Sequence, residues 1–272
     1  MHLGLIGCGK MGQALLKGVL HAQLCPHNEI AVHDKFPDPV QHLVADFGVH
    51  AAGSNQAVAE QADTVILAVK PVDKIPMLGE LAATPQSTLF ISIAAGIRID
   101  ALEQALNIPE SNHRVVRVMP NTPALVGKGA SAYALGSTTT KEDAVTTEKI
   151  LGSVGIIECV TEELLDTVTA LSGSGPAYIF AMIESMIAGA VELGLDEKTA
   201  RDLTVQTVAG AAEMVAQTGE SPATLRENVT SPNGTTFAAL ESMRANDFDQ
   251  IIRQALKAAH TRSIELGNPP AQ

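Results

Sequence analysis

The 272-residue chain predicts an α/β fold in two parts: a doubly wound, mostly parallel sheet over residues 1–160, then an all-helical half over 161–272. Three observations carry this. Residues 64–69 (TVILAV) and 89–93 (LFISI) are continuously apolar, as parallel strands covered on both faces are. Amphipathic segments of helical length separate such runs, and parallel neighbours need helical crossovers. After Thr161 the strand-like runs cease and helical segments follow one another.

In chain order, residues 3–6 read as a strand, 10–21 as a helix and 29–33 as the next strand. A helix over 39–47 ends at Gly48, a short strand follows at 49–51, and a small helix starts near Asn55. The apolar strands 64–69, 89–93 and 115–119 are separated by helices over 73–83 and 98–106. After the Pro120-Asn121-Thr122-Pro123 turn, residues 130–136 read as an edge strand, 142–152 as a helix and 155–160 as a last strand. Helices are predicted over 162–171, 176–193, 197–217, 222–229, 235–245 and 248–265.

Composition narrows the function. With 46% hydrophobic residues the chain supports a sizeable core. Acidic residues number 30 against 18 basic, a formal charge of −12, and no basic tract suits a nucleic-acid partner. Cys8, Cys25 and Cys159 lie far apart, which argues against a disulfide framework and for a reducing, cytoplasmic setting. The N-terminus reads as a first strand and not as a signal peptide, having no basic region ahead of its apolar run. The apolar stretch 177–193 contains Glu184 and Glu192 and reads as a buried helix, so no membrane span is expected. The histidines are scattered and no HExxH is present, so no metal site is expected.

Gly7-Cys8-Gly9-Lys10-Met11-Gly12 is a GxGxxG between a short apolar strand and a helix. Gly7 permits the tight turn, Gly9 lets the backbone approach a pyrophosphate, and Gly12 lets the helix pack closely on the sheet. Free N–H groups at the helix start then receive the anion. Cys8 and Met11 read as packing residues. Asp34, 25 residues beyond Gly9, ends the second strand, where a carboxylate accepts from ribose hydroxyls and favours NAD. Lys35 and His33 pull toward the 2′-phosphate of NADP, so NADH and NADPH both stay open. Lys70 and Pro71 follow the strand end at Ala68, where open α/β sheets bind ligands. Asn55 either caps its helix or reaches the adenosine side. Ala94 belongs to a small-residue stretch where a cofactor ring can pass.

Two further motifs look chemical. Leu171-Ser172-Gly173-Ser174-Gly175-Pro176-Ala177-Tyr178 reads as a flexible loop entering a helix. Thr230-Ser231-Pro232-Asn233-Gly234-Thr235-Thr236 reads as a loop delivering amides and hydroxyls to a helix start, a competent carboxylate receptor. Helix capping is the plainer reading of both, and each loop can do both jobs. The helical half is rich in small residues (AMIESMIAGAVELG, TVAGAAEMVAQTG) and, at about 110 residues, thin for an independent core. A subunit interface answers both points; an Ala-rich lobe packed on its own sheet domain is the alternative.

These residues resemble the pyrroline-5-carboxylate reductases almost end to end, through LIGCGKMG, AVKP, RVMPNTP, TALSGSGPAY, LRENVTSPNGTTFAALE and AAHTRSIELG. The resemblance implies a Rossmann-like N-terminal domain and a helical dimerisation domain that interlocks with its partner. It implies a homodimer, with a decamer of five dimers as the larger form. The substrate pocket then lies between the cofactor domain and the dimer's helices. It places Gly7, Gly9, Lys10, Met11 and Gly12 at the pyrophosphate, and Asp34, Lys35 and Asn55 toward the adenosine. Ala68, Lys70, Pro71 and Ala94 border the cofactor, and Met119, Pro120 and Asn121 flank the nicotinamide. Ser174, Gly175, Gly234, Thr235 and Thr236 surround the substrate carboxylate and ring, with Thr236 the candidate catalytic residue. One departure is Asn233, where the family usually has glycine; asparagine tolerates positive φ, so the turn is expected to survive.

The activity so implied is hydride transfer from NADPH or NADH to a protonated cyclic imine, L-1-pyrroline-5-carboxylate, giving L-proline in the final step of proline biosynthesis. A β-hydroxyacid dehydrogenase-like enzyme is the nearest rival. It needs a lysine base on the second half, where Lys198 in an ordinary helix start is the only lysine between Lys149 and Lys257. A nucleotide-binding protein without turnover is a second rival, separated from both by an assay.

Overall fold

The computed structural model describes residues 1–69, 71–84, 87–108 and 110–267. Its eight strands are β1 (Leu3–Ile6), β2 (Ile30–His33), β3 (His50–Ala51), β4 (Thr64–Leu67), β5 (Leu89–Ser92), β6 (Arg114–Met119), β7 (Gly129–Leu135) and β8 (Gly155–Cys159). They form one sheet in the order β3-β2-β1-β4-β5-β6-β7-β8. The first six are parallel neighbours, β7 runs antiparallel to β6, and β8 is parallel to β7. The order reverses between β1 and β4, the switch point where such sheets bind ligands beyond the carboxyl ends of their strands.

The crossovers are α1 (Lys10–His21), α2 (Pro37–Phe47), α3 (Asn55–Gln61), α4 (Pro71–Leu81), α5 (Ile99–Ala105) and α6 (Lys141–Gly152). Successive strand side chains face opposite ways, so two cores form. Leu3, Leu5, Val32, Ile66 and Ile91 pack with Leu15 and Leu16 of α1 and Ile150 and Leu151 of α6. Ile6, Val65, Leu67 and Phe90 pack with Val58 of α3, Leu78 of α4 and Leu102 of α5. This two-sided cover explains why the central strands are apolar throughout instead of alternating. Helix ends follow local chemistry: Gly48 ends α2 in the left-handed region (φ 68°), and Thr140 and Asp143 form a capping box on α6.

Two expectations are corrected. Residues 130–136 were expected at the sheet edge, yet β7 lies inside it, because α6 returns the chain so that β8 covers its outer side. The 171–175 segment was expected as a flexible loop. It is instead helical: a single π-type turn over Thr169–Gly173 joins α7 (Leu165–Val168) to α8 (Gly175–Glu192). Thr169 Oγ1 donates to the Leu165 carbonyl and the Ser174 N–H to the Thr169 carbonyl, so the serines serve helical backbone in place of a loop. Such turns recur at functional sites.

The chain divides into two compact units, Met1–Ser174 with the stretch from Ala259 onward, and Gly175–Ala258. Compactness thus draws the line at 174, beyond the 160 read from the strand pattern. The intervening residues pack on the sheet: Leu165 is buried in its core, and Glu162 Oε1 accepts from Arg117 Nη1 (2.9 Å) and the Ile99 N–H (2.6 Å). Ser263, near the end of α12 (Phe248–Gly267), donates to the buried Asp166 carboxylate at 2.6 Å.

The second unit holds α8, α9 (Glu197–Thr218), α10 (Pro222–Asn228), α11 (Thr235–Ala245) and the first turns of α12. The expectation of a buried helix over 177–193 is also corrected: α8 has no buried residue, with Phe180 58% exposed and Leu193, just beyond its end, 91% exposed. An apolar face of this extent is characteristic of an interaction surface. The run Glu162–Glu192 is also long and apolar enough, by length and composition alone, to cross a membrane.

His113 gives the first unit a pH-dependent term. It is fully buried, edge-on to Phe90 with ring centroids 5.2 Å apart. The Thr88 N–H donates to Nδ1, and Nε2 lies 3.3 Å from Thr84 Oγ1, whose own proton goes to the Leu81 carbonyl. The neutral ring is therefore satisfied, and burial lowers its pKa from 6.5, with nearby Arg114 acting the same way. In the unfolded chain the ring takes its proton first, so the stabilisation is complete above about pH 6.5 and is lost as pH falls through the lower folded value. Denaturant melts at about pH 7.5 and 5.5 should show a larger loss of stability in the wild type than in His113→Gln; equal losses would refute this.

Candidate active site

The glycine loop connects β1 to α1 and sits at the switch point. Gly7 has φ +97°, and a Cβ there would press on the Ala68 backbone. A Cβ on Gly12 would overlap the Gly7 carbonyl oxygen. A Cβ on Gly9, by contrast, would meet no atom of the described residues within 4 Å. Among the described residues nothing requires glycine at that position, so the space it leaves suits a close ligand. Gly9 is also the N-cap of α1 and supplies no side-chain cap, leaving the first helical amides to an anion.

Beside this loop lies a cavity of about 360 Å³. It brings together Gly7, Gly9, Asp34, Lys35, Asn55 and Ala68 of the sequence-predicted set. Asp34 Oδ1 accepts from the Phe36 N–H at 2.9 Å and Oδ2 from the Cys8 N–H at 2.7 Å, so the carboxylate is fixed at the cavity wall. Asn55 lines the cavity because Ser54 is the cap of α3, its Oγ accepting from the Ala57 N–H. Capping of α3 thus falls to Ser54, and Asn55 stands in the cavity wall. Cys8 is buried, and burial together with the negative Asp34 pushes its thiol up to about 12, which leaves it protonated and unreactive.

Other predicted residues stand elsewhere. Lys10 and Met11 open α1 outside the cavity wall, Lys10 exposed and Met11 half-buried. Ala94 is buried in the core beyond β5. Lys70 lies outside the described residues, as does the side chain of Pro71 at the start of α4. Met119 ends β6 and lies so close to Gly173 that a Cβ there would strike its methyl group. Pro120 and Asn121 are buried. Asn121 Oδ1 accepts from the Ala130 N–H (2.9 Å) and Nδ2 donates to the Ser172 carbonyl (3.0 Å), so its amide ties the β6–β7 turn to the π-type turn.

Ser174 and Gly175 follow that turn and are half-buried. In the second unit, Gly234 is the N-cap of α11 without a side-chain cap, Thr235 is exposed and Thr236 half-buried. The amides opening α11 are thus available to a carboxylate. Asn233 has φ 57°, so asparagine sustains the left-handed turn as expected. The cavity also includes Ile6, His33, Phe36, Pro39, Val69 and Met77. Of these, Phe36 carried a readable signal: an aromatic residue two places after the acidic strand end, left 61% exposed beneath the Lys35 ammonium. Among the described residues no three His, Cys, Asp or Glu side chains gather as a metal site.

Sheet order, glycine loop and cavity define a dinucleotide-binding domain of the Rossmann type, followed by a helical domain with an unpartnered apolar face. The family described as NADP oxidoreductase, coenzyme F420-dependent, matches residues 2–96, and that described as pyrroline-5-carboxylate reductase dimerisation matches 162–266. Proteins named pyrroline-5-carboxylate reductase from Methanosarcina acetivorans and Pseudomonas aeruginosa are 41% and 40% identical, covering 97% and 99% of this chain and 97% and 98% of their own. The structure of such a reductase from Coxiella burnetii superposes with a TM-score of 0.92 at 36% identity, and that from Plasmodium falciparum, with NADP bound, with 0.88 at 32%; each comparison covers 98% of both chains. The chain belongs to the pyrroline-5-carboxylate reductase family.

Proposed function

We propose that this protein reduces L-1-pyrroline-5-carboxylate to L-proline with NADPH or NADH, the last step of proline biosynthesis. The observation that carries the reading is the near-full-length likeness to reductases of that name, in a chain whose glycine loop borders an open nucleotide cavity. The residues fit the cofactor: the space over Gly9 and the uncapped start of α1 suit a pyrophosphate, and Asp34, Lys35 and Asn55 suit the adenosine end. Lys10, Met11 and Gly12 complete the loop. Ala68, in the cavity wall, borders the cofactor.

When bound, the reduced nicotinamide supplies a hydride. The substrate carries its own acceptor, since protonation of the imine nitrogen makes the adjacent carbon electrophilic. The protein's work is placement and electrostatics. The amides of Thr235 and Thr236, opening α11 after Gly234, hold the carboxylate, and the Thr236 hydroxyl contacts the ring nitrogen. Met119 and Pro120 wall the nicotinamide side, and Asn121 holds that wall to Ser172. No histidine or lysine base is needed, because the imine arrives protonated or takes its proton from water.

The helical half, 161–272, serves dimerisation and substrate binding, and the unpartnered face of α8 pairs with a second copy. The assembly is a homodimer, extending to a decamer of five dimers, in the cytoplasm, without a membrane or nucleic-acid partner. Sedimentation at micromolar concentration should give a dimer or larger; an active monomer would overturn this. Purified protein should oxidise NADPH and NADH when given L-1-pyrroline-5-carboxylate, followed by loss of near-ultraviolet absorbance. Absence of that turnover, with hydroxyacid oxidation by NAD present instead, would favour the dehydrogenase-like alternative.

A further inference from the structure

The geometry points to Gln13 as a positioning residue for the cofactor loop, acting with Asp34 to fix the peptide groups on either side of Cys8. The inference rests on the cofactor reading above. Cys8 lies between Gly7 and Gly9, two residues that by themselves constrain the backbone little. Its N–H donates to Asp34 Oδ2 at 2.7 Å, from beyond the end of β2. Its carbonyl accepts from Gln13 Nε2 at 2.8 Å, the half-buried side chain folding back from the first turns of α1 over the loop. Its thiol is fully buried and directed at the His33 carbonyl, 3.6 Å away.

Both polar groups of Cys8 are therefore occupied by side chains from two different elements. With its N–H turned to Asp34, Cys8 is withdrawn from the phosphate cradle. The anion is left to the uncapped amides that open α1. The loop is thus shaped before a ligand arrives, which lowers the ordering cost of binding. Gln13 is uncharged and does not line the cavity, so its contribution is the same whichever dinucleotide is bound.

Gln13→Leu keeps side-chain size and helix propensity but removes the donor. Fluorescence titration should show the Kd values for NADPH and NADH rising together, by about three- to tenfold, the worth of one hydrogen bond. In the protein without cofactor, amide hydrogen exchange over residues 7–9 should quicken. Gln13→Arg, which keeps a donor on a straight side chain, should restore most of both. Unchanged affinities and exchange in Gln13→Leu, a loss confined to one cofactor, or failure of Gln13→Arg to rescue would overturn the assignment. A wild type that binds neither cofactor would instead defeat the cofactor reading, and loop exchange would still decide whether Gln13 holds the loop.

Discussion

Gly9→Ala should fold as the wild type does and lose dinucleotide binding, whereas Gly12→Ala should lose both. The difference lies in what each new methyl group meets. At Gly9 it enters open space, and the backbone there (φ −72°) suits alanine, so the folding cost is confined to a poorer N-cap, about 1 kcal/mol or less. The same methyl fills the volume through which a pyrophosphate must approach the start of α1, and affinity should fall at least about tenfold, or about 1.4 kcal/mol. At Gly12 the methyl overlaps the Gly7 carbonyl oxygen, which cannot yield without moving the turn, so stability should fall by about 1–3 kcal/mol as well. Denaturant melts and cofactor titrations on the two variants separate these outcomes. A Gly9→Ala protein that binds NADPH as tightly as the wild type would remove the loop from the site.

Thr236→Ala should lower kcat/KM for pyrroline-5-carboxylate about 10- to 100-fold, the range of a hydrogen bond to a charged group. The cofactor Kd should not move. Helix α11 starts from Gly234 without a side-chain cap, so the hydroxyl is not needed to begin the helix. Thr236→Ser, which keeps the hydroxyl, should recover most of the activity. Equal steady-state kinetics for Thr236→Ala and the wild type would remove Thr236 from the reaction. A fall in cofactor affinity of the same size would show that its effect is not confined to the substrate.

The glycine loop was legible because its chemistry is local: a strand, three glycines and a helix start lie within a dozen residues. Asn233 was legible for the same reason, since tolerance of φ 57° is a property of the residue itself. The interior place of β7 was not, because strand order depends on where α6 returns the chain. The serine and glycine residues of 171–175 read as a loop on composition, yet i→i+5 bonding and the Asn121 amide hold them in a π-type turn. Phe36 is findable from its place two residues after the acidic strand end, whereas nothing in the immediate sequence of Pro39 marks the wall of a cavity.

The alternation of strands and helices, the dinucleotide loop and the change to an all-helical half are legible in the residues themselves, because each depends on near neighbours and periodicity. That Ser54 caps α3 and frees Asn55, that Asn121 holds Ser172, and that Asp34 and Gln13 both engage Cys8 emerges from the folded chain alone. Each of these joins a polar side chain to one particular backbone group. Such a pairing depends on distances of about 3 Å between segments, which composition and periodicity do not encode.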